Sequence, residues 1–225
     1  MNYELLVADD HPLYRAALKG AVAAALPEVT FHEADHVGEL LQLIELHGGA
    51  DLLLLDLNMP GAHGFSALAH LRGLRPDLPV IVISAMDDAH TVRQAMAFGA
   101  QGFVSKSASA EAIGAGVRAV LNGEIVTPPH LGNGSEHGAD PGALDVAGRL
   151  AELTPQQFRV FSMLCSGKLN KQIAYDLEIS EATVKAHMTS VLRKLGATNR
   201  TQAVLLAGRL AVDPNEIKTP IEELD

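Results

Sequence analysis

Leu52-Leu53-Leu54-Leu55-Asp56-Leu57-Asn58-Met59-Pro60-Gly61 is the stretch that decides the fold. Four consecutive leucines ended by a carboxylate, and soon after by Pro and Gly, read as a short strand buried on both faces. An alternating pattern would instead mark a strand with one wet face. The pattern repeats on either side. Further apolar runs occur at 5–8, 29–31, 80–83 and 102–104. After the five runs come segments 12–26, 37–47, 65–74, 89–98 and 110–121, whose apolar residues recur three or four apart, as a helix face requires. Five strand–helix units predict an α/β domain over residues 1–124, a doubly wound five-stranded parallel sheet. In that architecture ligands gather outside the carboxyl ends of the strands, so those ends carry the functional reading.

Composition sets the outer bounds. The chain has 225 residues, 48% hydrophobic and 20% charged, enough to bury a core and too apolar for wholesale disorder. No apolar run approaches the ~18 residues that span a bilayer. The opening MNYELLVADD carries acid where a signal peptide carries base, so a cytoplasmic, non-membrane protein is expected. The single cysteine, Cys165, forms neither an internal disulfide nor a CxxC metal site and is expected in the core. The net charge of −10 divides unevenly. Residues 1–124 hold 7 basic and 15 acidic side chains, residues 125–150 hold 1 and 3, residues 151–212 hold 8 and 4, and residues 213–225 hold 1 and 5. A basic block in an acidic chain is the footprint of a polyanion partner, because Lys and Arg near phosphates release condensed counterions.

The strand ends place unusual chemistry on one rim. Asp9 and Asp10 end the first strand, Asp56 the third, Ser84 the fourth, and Lys106 follows the fifth, three residues after Phe103. Three close carboxylates repel one another unless one is protonated or a cation lies among them. Hard oxygen ligands on an open rim suit Mg²⁺, which binds through one or two carboxylates and a phosphate. Lys106 and Ser84 would neutralise and hydrogen-bond a transferred phosphoryl group.

The segments ADDHP (8–12), LLDLNMPGAHG (54–64), ISA (83–85) and GFVSKSAS (102–109) make residues 1–124 resemble the receiver domain of bacterial two-component response regulators, a flavodoxin-like fold. The resemblance implies phosphorylation of Asp56 by a cognate sensor histidine kinase. It implies Mg²⁺ held by Asp9, Asp10, Asp56 and the carbonyl of Asn58, with Asp9 acting through a water. Ser84 and Phe103 match the switch pair, and Lys106 the phosphoryl-binding lysine. On phosphorylation the Ser84 hydroxyl would move toward the new oxygens and the aromatic ring would turn inward. Phe103 replaces a common tyrosine, so the switch is expected to work by packing. Ser107 stands where a proline is common. Met86, two past the switch hydroxyl, cannot orient a water, which predicts slow loss of the phosphoryl group.

Residues 125–150 are rich in Gly and Pro and read as a flexible linker, with His130 and His137 in solvent. Beyond it, Thr154-Pro155-Gln156-Gln157 carries a capping box and proline at the first helical position. Helices are expected from there to 166, over 170–177, 181–195 and 201–211, a small all-α four-helix domain spanning 151–212. On the third, Val184, Met188, Val191, Leu192 and Leu195 face the core, while Lys185, Ala186, Thr189 and Arg193 face outward. Two helices across a tight turn, the second with such a face, describe a helix-turn-helix whose second helix enters the major groove. Lys185 can donate to guanine, and Ala186 and Thr189 can touch bases. Asn170, Lys171, Thr183 and His187 complete the expected DNA contacts, with Lys171 and Thr183 on phosphates.

GKLNKQIAYDLEISEATVKAHMTSVLRKLGATNRTQA (167–203) makes residues 152–207 resemble the LuxR-type helix-turn-helix of the NarL/FixJ group. The resemblance implies a transcription factor and not an enzyme, with promoter DNA and RNA polymerase as partners. It also implies a homodimer on activation, through Val204, Leu205 and Gly208. Gln156-Gln157 stands where the group usually shows Arg-Glu, so that glutamate's ion pair is absent. Residues 213–225 form an acidic tail without an assigned role.

Competing readings fall short. His32-Glu33-Ala34-Asp35-His36 spells HExxH, but zinc proteolysis needs both histidines on one helix face. Here 31–34 reads as strand, Asp35 as the cap of the next helix, and no third ligand is evident. An aspartyl phosphatase would carry a second aspartate at position 58, where this chain has Asn58. A receiver that signals without phosphate remains the alternative to the phosphorylated regulator.

Overall fold

Each apolar run forms a strand in the computed structural model, which describes residues 2–128 and 140–212. The strands are β1 (Tyr3–Ala8), β2 (Val29–Ala34), β3 (Leu52–Asp56), β4 (Val80–Ser84) and β5 (Gly102–Ser105). They pair in parallel in the order β2-β1-β3-β4-β5. Helices α1 (Pro12–Ala25), α2 (Val37–Leu46), α3 (Ser66–Leu74), α4 (Ala89–Ala97) and α5 (Ala110–Leu121) cross over between and after them.

The continuous apolar runs follow from this layering. In β3, Leu53 and Leu55 join one core layer while Leu52 and Leu54 join the other, and all four are buried. Alternation persists, but both faces are dry. The cap of α2 is His36 and not Asp35 as expected; His36 makes no side-chain capping bond, and Glu39 Oε2 accepts from the Asp35 N–H instead.

The C-terminal half has five helices among the described residues, where four were expected: α6 (Pro141–Ala151), α7 (Pro155–Cys165), α8 (Asn170–Asp176), α9 (Glu181–Leu195) and α10 (Arg200–Gly208). The linker expected over 125–150 is therefore shorter. At its start Val126 bridges to Gly102 beside β5, donating to Gln101 O and accepting from Phe103 N. At its end Asp140 caps α6 and Pro141 occupies the first turn. Ala143, Val146, Ala147 and Leu150 bury at helical spacing, so Pro141 and Gly142 open a helix and do not interrupt one. Residues 129–139, with His130 and His137, and the acidic tail 213–225 lie outside the described residues.

Capping fixes the remaining helices. Thr154 and Gln157 close the capping box of α7. Gln157 Oε1 also accepts from Lys194 Nζ at 2.8 Å, so an ammonium-to-amide hydrogen bond stands where an ion pair was expected to be missing. Ser180 caps α9 by accepting from Thr183 N, and Gly196 ends it at φ 67°. Between α8 and α9, Glu178 takes φ 54°, a left-handed conformation that costs a residue with a Cβ about 1 kcal/mol.

The two halves share one core. Ala143, Val146, Leu150, Phe158, Phe161 and Leu164 belong to the same buried cluster as Leu53, Phe65 and Leu68. At the seam α3 packs on α6 and α2 on α7. His70 Nδ1 meets Leu150 O at 3.1 Å, and its ring stacks on Phe158 at 4.1 Å. Ser162 Oγ donates to Gly61 O, Arg159 Nη2 to Gly38 O at 3.2 Å, and Phe65 N to Leu210 O at 2.8 Å. The backbones approach closely enough to demand glycine: a Cβ at Gly73 would lie 2.1 Å from Ala151 O, and one at Gly64 2.1 Å from Leu210 O.

Candidate functional site

Adjacent strand ends bring the rim residues together. Lys106 Nζ lies 2.7 Å from Asp9 Oδ2 and 2.8 Å from Asp56 Oδ2. Both carboxylates are 1% exposed, whereas Asp10 keeps 28% of its side chain in solvent. Asn58 N donates to Asp56 Oδ1 at 3.3 Å. Ligand atoms of Asp9, Asp10, His11 and Asp56 all lie within 4.8 Å of one another. Among the described residues, this is the acidic group that also holds a lysine.

The charges are coupled. Burial pushes the Asp56 carboxyl above the usual carboxylate range, against the pull of Lys106 and the Asn58 N–H, and the charge of Asp9 adds to the rise. Burial works against the Lys106 ammonium, yet its close pairing with the Asp56 and Asp9 carboxylates outweighs it and holds its pKa above the ordinary value. The donor set fits a hard divalent cation. Asp9 Oδ2 and Asp10 Oδ1 are sealed from solvent and meet Lys106 and His11 as ion contacts without hydrogen-bond geometry. Oxygens left in that state are what a cation would satisfy.

Ser84 is fully buried, and its Oγ accepts from Met86 N at 3.1 Å. Phe103 departs from the expectation of a ring that turns inward: it is already 1% exposed, in the core and opposite Val82 in the sheet. Without a hydroxyl to keep in water, a phenyl ring gains from full burial. Two residues escaped the sequence reading. His11 Nδ1 sits 2.6 Å from Asp10 Oδ1, and the Tyr14 ring lies 4.9 Å from Lys106 Nζ. Burial, only partly opposed by Lys106, raises the pKa of the Tyr14 hydroxyl. Their place at the N-cap and in the first turn of α1, directly after Asp9 and Asp10, was the available signal.

The basic face is built differently. Val184, Val191 and Leu195 anchor α9, with Met188 and Leu192 partly buried. Lys185, Ala186, Thr189 and Arg193 are exposed as expected, and so are Lys171 and Thr183. Asn170 and His187 are half-buried. Asn170, Lys171 and Lys185 line one shallow groove between α8 and α9. Thr183 and Thr189 are engaged locally: Thr183 Oγ1 lies 2.8 Å from Ser180 Oγ, and Thr189 Oγ1 donates to Lys185 O at 3.0 Å. Lys194 bonds Glu152 O at 2.7 Å and serves the fold, not the face.

Val204 and Gly208 are half-buried and Leu205 is 51% exposed. They line a cavity of about 840 Å³ between α10 and the loop Leu57–Gly64, which follows Asp56 directly. Cys165 lines the same cavity, partly buried against the core, its thiol pushed up to about 12 by burial. No helix among the described residues is long and apolar enough to cross a membrane.

Comparisons with known proteins agree with both halves. Residues 5–118 match the family described as response regulator receiver domain, and residues 151–207 match bacterial regulatory proteins, luxR family. A glycerol metabolism activator of Pseudomonas putida is 40% identical over 215 residues, covering 92% of this chain and 95% of that protein. The signal receiver domain of the putative response regulator NarL from Mycobacterium tuberculosis is 34% identical with a TM-score of 0.50, over 55% of this chain and 98% of that one. A structure of two RcsB dimers bound to two parallel DNAs, 20% identical with a TM-score of 0.55 over 94% of this chain and 100% of that one, agrees in fold. The chain belongs to the response regulators that join a receiver domain to a LuxR-type DNA-binding domain: it is a transcription regulator and not an enzyme.

Proposed function

We propose that a sensor histidine kinase phosphorylates Asp56 in the cytoplasm, and that this frees α10 to pair with a second copy, so that the α9 faces bind promoter DNA as a dimer. The observation that carries the reading is Lys106 Nζ bridging the buried carboxylates of Asp9 and Asp56 at 2.7 and 2.8 Å. An Asp56 oxygen attacks the phosphorus of a phosphohistidine, the imidazole leaves, and the Lys106 ammonium neutralises the incoming oxygens. Asp9, Asp10, Asp56 and the carbonyl of Asn58 would hold Mg²⁺, which when bound supplies further neutralisation of phosphoryl charge. The Ser84 hydroxyl donates to a phosphoryl oxygen, redirected from its place beside the Met86 N–H.

Coupling runs through the loop that follows Asp56. Gly61 O, Phe65 N and the cavity wall 57–64 all touch α7, α10 or the residues just past α10. A phosphoryl group that shifts Asn58 disturbs this seam within a few residues. The recognition face of α9 is already open, so the contact freed by undocking is the one Val204, Leu205 and Gly208 would make with a second copy. Two recognition helices then reach half-sites about one helical turn apart.

An acyl phosphate and Mg²⁺ are expected to add one phosphoryl group to the wild-type chain by intact mass, and none to Asp56→Asn. Undiminished uptake by Asp56→Asn, or steady turnover of a model phosphoester, would overturn the proposal.

A further inference from the structure

HExxH does not assemble as written, because β2 ends at Ala34 and His36 starts α2. His32 instead faces other partners. Its Nε2 lies 2.9 Å from Glu4 Oε1, on β1, and His47 Nδ1, just past α2, lies 2.7 Å from the same oxygen. The two imidazoles stack at 3.5 Å with 26° between their planes. The ligand atoms of all three residues lie within 4.8 Å of one another.

We propose that Glu4, His32 and His47 form a transition-metal site, of the chemistry that takes Zn²⁺, on the receiver edge away from the acidic pocket. Two imidazole nitrogens and a carboxylate oxygen are borderline-soft donors, suited to Zn²⁺ and poorly suited to Mg²⁺. Their 2.7 and 2.9 Å separations would need to open by about half an ångström to reach the roughly 3.4 Å between neighbouring ligands of a tetrahedral ion about 2.1 Å from each.

Hydrogen bonding alone leaves the cluster unfinished. His32 Nε2 is sealed from solvent and, despite its 2.9 Å approach to Glu4, lacks hydrogen-bond geometry to any described residue. A buried ring nitrogen in that state calls for a further partner. A metal drawing on both nitrogens and the carboxylate satisfies it.

The ligands are held in place before any ion arrives. Glu4 is pinned by its N–H to Asp51 Oδ2 and by Asp51 N to its carbonyl, both at 2.8 Å. His32 sits in the β1–β2 ladder opposite Leu6, and His47 N closes α2 onto Leu43 O. Side chains 23%, 34% and 24% exposed, for His32, Glu4 and His47, leave the ion an approach and room for water as the remaining ligand. The ion would tie β1, the edge strand β2 and the end of α2 together.

The test is zinc uptake by the full chain against a chromophoric chelator, in excess Mg²⁺ to keep the acidic pocket filled. One equivalent is expected to bind and to raise the melting temperature by several degrees. His32→Gln and His47→Gln should each weaken it at least tenfold, while His36→Gln and His11→Gln leave it unchanged. X-ray absorption of the wild-type zinc complex, which no folding defect confounds, should show two imidazoles among the ligands. Absence of uptake, wild-type affinity in both His32→Gln and His47→Gln, or a shell without imidazole overturns the proposal.

Discussion

The acidic pocket and the α9 face carry charge in opposite ways. Asp9 and Asp56 are sealed, compressed against one lysine and against each other, and assembled from strand ends far apart in sequence. Lys185 and Arg193 stand in water on a single helix, held by Val184, Val191 and Leu195 beneath. A buried set of charges is costly to assemble and responds strongly when one more charge arrives. An exposed set responds little until a polyanion displaces its counterions. The pocket is therefore suited to sensing and the helix to reading. The seam between them, dry and closely packed, is where one must be converted into the other.

The seam has a titratable weak point, and its effect should be the largest. Burial lowers the His70 imidazole from 6.5 to about 4, with the Leu150 carbonyl opposing. Above pH 6.5 the ring is neutral whether folded or unfolded, and its contribution is intact. As pH falls from 6.5 toward 4 the unfolded chain takes up the proton first, so stability is lost, by up to roughly 3 kcal/mol. Denaturant titrations of wild type and His70→Leu across this range should diverge, the wild type losing more; parallel curves would remove His70 from the account.

The reading face is next. Lys185→Ala should weaken sequence-specific DNA binding by about 1–3 kcal/mol, roughly ten- to a hundredfold, and leave phosphoryl uptake at Asp56 unchanged. Equal loss on specific and random DNA would make Lys185 a backbone contact. Gly73→Ala sharpens the comparison from the seam. Alanine suits a helix better than glycine, but its Cβ would meet Ala151 O. The expected result is a seam weakened by about 1–3 kcal/mol and, without phosphorylation, DNA binding tightened about tenfold. Unchanged affinity would detach docking from control.

The smallest effect concerns the pocket's memory. Met86 offers no group to orient an attacking water, so Met86→Gln should shorten the lifetime of the phosphoryl group several-fold by intact-mass decay. An unchanged lifetime removes that argument.

The sheet and the pocket were legible because both depend on local pattern: a dry strand must be continuously apolar, and a functional strand end must turn polar where Asp9, Asp56 and Ser84 do. The α9 face was legible from its 3.6-residue period. What stayed hidden depends on contacts between distant segments. Asp140 and Pro141 signalled a helix start, but the surrounding glycines outweighed them. Gly64 and Gly73 carry no mark of the carbonyls pressed against them. Val204, Leu205 and Gly208 were expected as a dimer contact, and only the fold shows loop 57–64 opposite. Phe103 carries no sign that it is already packed inward. His32 showed its partner only once β2 and the end of α2 were placed side by side.

Phosphorylation at Asp56 as the control of DNA binding is tested most directly by one titration: promoter DNA against the wild-type chain and Asp56→Asn, each with and without an acyl phosphate and Mg²⁺. Binding by the wild type should tighten at least tenfold on phosphorylation, and binding by Asp56→Asn should not change. A phosphorylated wild type that binds no more tightly, or an Asp56→Asn protein that responds as the wild type does, contradicts the account.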